Sequence, residues 1–165
     1  MIRRILGIDP GLCKTGWGII DIDGHKLFHV AHGTIKSDEK MSLDLRLKTL
    51  HEKLLDIIVQ YQPDEAAIEE TFLNTNPNTT LKLGMARGAL MLAPALQKIP
   101  LSEYSANHIK KNVVGAGHAS KTQVALMVQT LLPKAAPVKD DPADALAIAI
   151  CHAHTAQTHK RMLMG

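Results

Sequence analysis

Carboxylates stand in this 165-residue chain at places where a folding polypeptide ordinarily excludes them. Arg4-Ile5-Leu6-Gly7-Ile8-Asp9-Pro10-Gly11 is a short apolar run that ends on one acid and breaks at once into a Pro-Gly turn. Ile5, Leu6 and Ile8 read as a strand buried on both faces, where an ionised group loses several kcal/mol of hydration unless something replaces it. A second such strand, residues 64–70, ends on Glu69 and Glu70. Adjacent strand residues point to opposite faces, so only one of the two can share a side with Asp9, and the alternation leaves open which. A third group opens the last apolar segment, Asp140-Asp141-Pro142-Ala143-Asp144. Pro142 suits the first helical position, making Asp141 the N-cap and Asp144 the third residue. Acids there stabilise a helix start unaided, by about 0.5–1 kcal/mol each. The helix behind them is apolar nearly all round, however, so this end is packed into the domain.

Brought to one edge of a sheet, Asp9, a glutamate, Asp141 and Asp144 would repel, and at least one would have a raised pKa without counter-ions. Divalent cations resolve the conflict. Oxygen-only ligands select Mg²⁺, with Mn²⁺ able to substitute, over zinc, and two ions about 3.5–4 Å apart suit in-line displacement at phosphorus. There is no convincing Ser-His-Asp set. The charge distribution fits a polyanionic substrate: residues 1–81 hold 9 Lys/Arg against 12 Asp/Glu, net −3, and residues 82–165 hold 10 against 4, net +6. Cys13 and Cys151 lack any CxxC spacing and fit reduced thiols, and Cys151-His152-Ala153-His154 offers too few ligands for a tetrahedral metal site. The basic start is followed by an apolar run broken at Asp9, which fits neither a signal peptide nor a membrane span, and a cytoplasmic protein is expected.

The elements that must position these groups follow from periodicity. Length and 45% apolar content fit one domain, residues 1–155, with a polar tail over 156–165. The first strand returns through a second, Trp17 to Ile22, closed by an Asp23-Gly24 hairpin, and a third spans Lys26 to Ile35. From Ser42, a predicted cap, Leu43, Leu47, Leu50, Leu54, Ile57, Ile58 and Tyr61 recur at helical spacing as far as Pro63. That helix supplies the crossover for a parallel strand at 64–70. Residues 71–80 read as a polar loop holding Phe72, an apparent core anchor, and Leu81 to Leu96 as a helix. Gly84 and Gly88 share one face of it, for tight packing on the sheet or for a subunit contact. A short edge strand over 99–104 and helices over 106–114 and 121–132, the latter capped by Ser120, lead to the last helix.

Taken together, Gly7-Ile8-Asp9-Pro10-Gly11 with Thr15-Gly16, Ala67-Ile68-Glu69, Leu81-Lys82-Leu83-Gly84 with Ala86-Arg87-Gly88, Val113-Val114-Gly115 and Asp144-Ala145-Leu146-Ala147 resemble the RuvC family of bacterial Holliday-junction resolvases, over residues 2 to about 155. The resemblance implies an α/β, RNase H-like fold with a five-stranded mixed sheet flanked by helices. It also implies a homodimer that nicks two symmetry-related strands of a four-way DNA junction, leaving 5′-phosphate and 3′-hydroxyl ends, alongside the RuvA–RuvB branch-migration complex. By position it makes Asp9, Glu69, Asp141 and Asp144 the catalytic, metal-binding acids, and Phe72, Lys110 and Lys121 DNA-contacting residues. The helix bearing Gly84 and Gly88 falls where the family dimerises. Cys13 stands where the family often carries a basic residue, with Lys14 beside it. Two other functions compete: a junction-binding protein without catalysis, and an actin-like phosphotransferase, which needs two such halves where this chain holds one.

Overall fold

The computed structural model describes residues 1–70 and 75–164. Its centre is a five-stranded sheet of order β3-β2-β1-β4-β5. Strands β1 (Arg3–Asp9), β2 (Lys14–Asp23) and β3 (Lys26–Lys36) form the expected antiparallel meander. Gly24, at φ +60°, supplies the left-handed residue of the second turn. After helix α1 (Leu43–Tyr61), β4 (Glu65–Glu69) pairs parallel to β1, and β5 (Leu101–Tyr104) pairs parallel to β4 at the edge. Helix α2 (Pro77–Leu96) connects β4 to β5, and α3 (Ala106–Val114), α4 (Lys121–Leu131) and α5 (Asp140–Met164) complete the chain.

Strand alternation divides the core into two layers. Leu6, Ile8, Ile19, Ala66 and Ile68 face α1 and α2, packing against Leu50, Leu54, Ala86 and Leu90. Ile5, Ile20, Ile22 and Ala67 face α3, α4 and α5, against Ile109, Val128, Leu146 and Ile150. The sheet is thus covered on both sides, which parallel central strands require.

Four local expectations change. Ser42 occupies the N-cap position of α1 but makes no cap hydrogen bond; its hydroxyl instead goes to the Asp44 carboxylate, which that bond holds below its usual pKa. Helix α2 begins at Pro77, not Leu81, because the Asn76 side chain accepts from the Asn78 and Thr79 amides and Pro77 suits the first helical position. Helix α5 begins at Asp140, so Pro142 is its third residue rather than its first. Proline is tolerated there because the first N–H groups have no intrahelical partner. The same helix continues to Met164, through the segment expected to be a polar tail. Ser120 does cap α4, in a reciprocal pair with Gln123.

Helix α5 lies in close backbone contact with the first hairpin. A Cβ on Gly7 would stand 2.0 Å from the Ala145 carbonyl oxygen, one on Gly16 2.2 Å from the Asp141 carbonyl oxygen, and one on Gly18 2.6 Å from Leu146 Cδ2. Gly7 and Gly18 are partners across the β1–β2 ladder, and Gly16 is the partner of Asp9. A Gly7→Ala substitution therefore has to push α5 off the sheet, and should cost about 1–3 kcal/mol or more in denaturant unfolding. Gly84→Ala, which meets nothing within 4 Å, should leave the monomer's stability unchanged or slightly raised.

Candidate active site

Asp9 is the last residue of the central strand, on the α5 side with Ile5 and Gly7. Glu69 is the last residue of β4, on the same side as Ala67, one position beyond the Ile8–Ile68 pair that aligns the two strands. Register thus decides between the two glutamates: Glu69 shares Asp9's side, whereas Glu70 lies past the strand and is exposed. The Glu69 main chain is held by Arg87 of α2, whose Nε donates to its carbonyl oxygen at 2.9 Å while the same guanidinium pairs with Glu103 of β5. Asp141 and Asp144 come from the first turns of α5, three residues apart and hence on one helix face. The glycine floor under those turns lets the helix backbone settle directly onto β1 and β2, which carries both acids over the end of the sheet.

The outcome is a tight cluster. One carboxylate oxygen from each of Asp9, Asp141 and Asp144 lies within 4.8 Å of the others. Glu69 stands outside that mutual set but lines the same cleft of about 890 Å³, together with Lys110 and Lys121. Lys121 Nζ is 3.8 Å from Asp144 Oδ2 and is largely exposed. Burial, then the charges of Asp144, Glu69 and Asp141, push the Asp9 carboxyl up to about 8, against a small opposing effect of Lys121. Glu69 is also raised, by burial and then Asp144, with Lys110 and Lys121 opposing. Asp144 is raised, chiefly by burial, with Lys121 opposing and Asp141 and Asp140 adding to the rise. The two lysines therefore do not neutralise the site. A set of hard oxygen donors with surplus negative charge and raised proton affinity fits a divalent cation, and does not fit zinc's preference for nitrogen and sulfur.

Of the sequence-derived site residues, Asp9, Glu69, Asp141, Asp144, Lys110 and Lys121 all line this cleft. Phe72 lies outside the described residues. The Cys151–His154 segment is elsewhere, and its histidines have structural partners. His152 Nε2 is 2.6 Å from Glu65 Oε2 and its Nδ1 is 2.8 Å from the Tyr104 hydroxyl, while His154 Nδ1 is 3.0 Å from Asn112 Oδ1. Sequence reasoning missed Arg46, which lines the cleft from α1, and the bond from Arg87 to Glu69. Arg46 falls in no motif, and Arg87 is read only as part of Ala86-Arg87-Gly88, because the bonds that define their roles reach 9 to 33 residues along the chain.

Comparison with known proteins identifies the family. The family model described as "Crossover junction endodeoxyribonuclease RuvC" matches residues 5–152. Curated proteins of that name from Afipia carboxidovorans and Rhizobium etli are each 55% identical, over 94% and 95% of this chain and 91% and 93% of their own. The T. thermophilus RuvC structure in complex with Holliday junction substrate superposes with a TM-score of 0.89 at 32% identity, covering 95% of this chain and 96% of that one.

The cluster's excess charge has a measurable consequence without metal. A carboxyl whose folded pKa lies above its unfolded value keeps a proton that the unfolded chain sheds, so its contribution falls as pH rises from about 4 to about 8. Metal-free protein should therefore lose thermal stability over that range. Asp9→Asn should melt several degrees higher than wild type near pH 8, a difference that scanning calorimetry in chelator would reveal and that should shrink near pH 4. With the family model matching residues 5–152 and relatives 55% identical over nearly the whole chain, the chain belongs to the RuvC family of crossover junction endodeoxyribonucleases.

Proposed function

We propose that this chain resolves four-way DNA junctions in the cytoplasm as a Mg²⁺-dependent homodimer, nicking two symmetry-related strands. The convergence of Asp9, Asp141 and Asp144 oxygens within 4.8 Å of one another, in a cleft shared with Glu69, carries the reading. These three acids would hold the divalent ions, two per site, with Glu69 completing the donor set from the neighbouring strand. Such ions, when bound, supply an activated water and neutralise charge at the phosphate. Lys110 and Lys121 at the cleft attract the phosphodiester, and the cluster's position at the ends of the central strands, in an open cleft, admits the DNA strand. The attacking water oxygen forms a bond to phosphorus as the bond to the 3′ oxygen breaks, which leaves a 5′-phosphate and a 3′-hydroxyl. Phe72 stacks on a base at the opened junction.

The second copy docks on α2. Leu81, Met85, Leu92 and Leu96 are 60%, 40%, 52% and 60% exposed, and they lie along one stripe with Gly84 and Gly88, over which there is open space. A two-fold protein matches the symmetry of a four-way junction. RuvA and RuvB are the partners that deliver the junction on this reading. No helix among the described residues is long and apolar enough to cross a membrane.

Synthetic four-way junctions incubated with Mg²⁺ should be nicked symmetrically, and Asp9→Asn should lower the rate by at least about a thousandfold while junction binding persists. Nicking that survives this substitution would overturn the site. Phe72→Ala should keep binding and lose cutting; unfolding instead would return Phe72 to the role of a core anchor. In sedimentation, wild type should run as a dimer, and Gly88→Leu, which fills the open stripe, as a monomer.

A further inference from the structure

Among the arginines whose side chains are described, all but one pair with a carboxylate. Arg3 is paired with Glu65 at 2.6 Å, Arg4 with Asp21 at 2.8 Å, and Arg87 with Glu103. Arg46 has no carboxylate within 4.0 Å among the described residues. It is half-buried on α1 and is held by neutral groups: its Nε donates to Ser37 Oγ at 3.0 Å, and its Nη2 lies 3.2 Å from Cys13 Sγ. Those partners are themselves fixed, because the Ser37 hydroxyl donates to the Leu12 carbonyl at 2.5 Å and the Ser37 amide to the Cys13 carbonyl at 3.1 Å. The guanidinium is thus braced against the turn that follows Asp9, and it lines the same cleft as the acids, with Lys14 beside that turn.

A fixed, half-buried cation with no carboxylate in contact is pre-organised for an anion, although Glu39 lines the same cleft, and the planar guanidinium fork suits a phosphate's oxygens. Arg46 lines the cleft from α1, whereas Lys110 and Lys121 line it from α3 and α4, so basic groups border the cleft from separate helices. We propose that Arg46 binds a backbone phosphate of the DNA strand that enters the acidic cleft, and so seats that strand from the α1 side. This rests on the nuclease reading above. Arg46 is a positioning residue, acting on the strand rather than on the reacting atoms.

The test is binding of a synthetic four-way junction without divalent metal, followed across 50–200 mM salt. Arg46→Gln should weaken binding about tenfold and reduce the slope of log K against log salt by about 0.9, the loss of one phosphate contact. Arg46→Lys should recover the slope, having the charge, but not the full affinity, lacking the fork. Lys48→Gln removes a charge on the same helix, outside the cleft, and should leave the slope unmoved. An Arg46→Gln slope equal to wild type overturns the proposal, whatever the affinity or melting temperature. Independently of any variant's folding, junction DNA should shield Arg46 of the wild-type protein from phenylglyoxal, read by peptide mass spectrometry, and undiminished modification overturns the proposal as well. Wild-type protein that binds junctions but fails to nick them in Mg²⁺ overturns the nuclease reading and leaves Arg46 standing; wild type that does not bind junctions overturns both.

Discussion

Everything at the acidic end of this protein depends on one backbone contact, the seating of α5 on a sheet surface stripped of side chains. Gly7, Gly16 and Gly18 leave no room for even a methyl group beneath Ala145, Asp141 and Leu146. At ordinary helix-on-sheet separation the first turns of α5 would stand too far from β1 for Asp141 and Asp144 to share a pocket with Asp9. The driving force for this approach is apolar, since Ala145, Leu146, Ala149 and Ile150 are fully buried against the sheet. Hydrophobic burial along α5 thus holds together acids that repel each other at its start.

Two carboxylates on the same side of the same pair of strands make the electrostatic logic plain. At the start of β4, burial pushes Glu65 up, but His152 and Arg3 outweigh it and hold that carboxyl below its usual pKa. At the end of β1, Asp9 is more deeply buried than Glu65 and has further acids as neighbours, and is pushed up to about 8. The first arrangement is complete in itself and ties α5 to β4 and, through the Tyr104 hydroxyl, to β5. The second is incomplete in charge. A site that stabilises the fold has its counter-ions built in; a site that works on phosphate leaves the place open for metal and substrate.

The acids were legible in the sequence because each breaks a local rule: Asp9 and Glu69 end buried strands, and Asp141 and Asp144 open a helix with no polar face. The meander, the parallel crossover and the cap at Ser120 were legible too, since each rests on contacts within a few residues. What the sequence left open depends on distance. Choosing Glu69 over Glu70 from the residues alone required the Ile8–Ile68 register, and the reason for three glycines in the first hairpin appears only once α5 lies on them. Arg46 looks like a solvated helix position until Ser37 and Cys13 fold against it. The start of α2 was misjudged for a local reason, because Asn76-Pro77 is a helix-opening pair embedded in a polar stretch that otherwise resembles a loop.

On the proposed function, the acidic cluster keeps protons only until a divalent cation displaces them. Calorimetric titration of Mn²⁺ into metal-free protein at pH 7, repeated in buffers of different ionisation enthalpy, measures protons released per binding event. Saturable binding is expected, with release approaching one proton, chiefly from Asp9. Saturable binding with no proton release, or no binding at all, would contradict that reading.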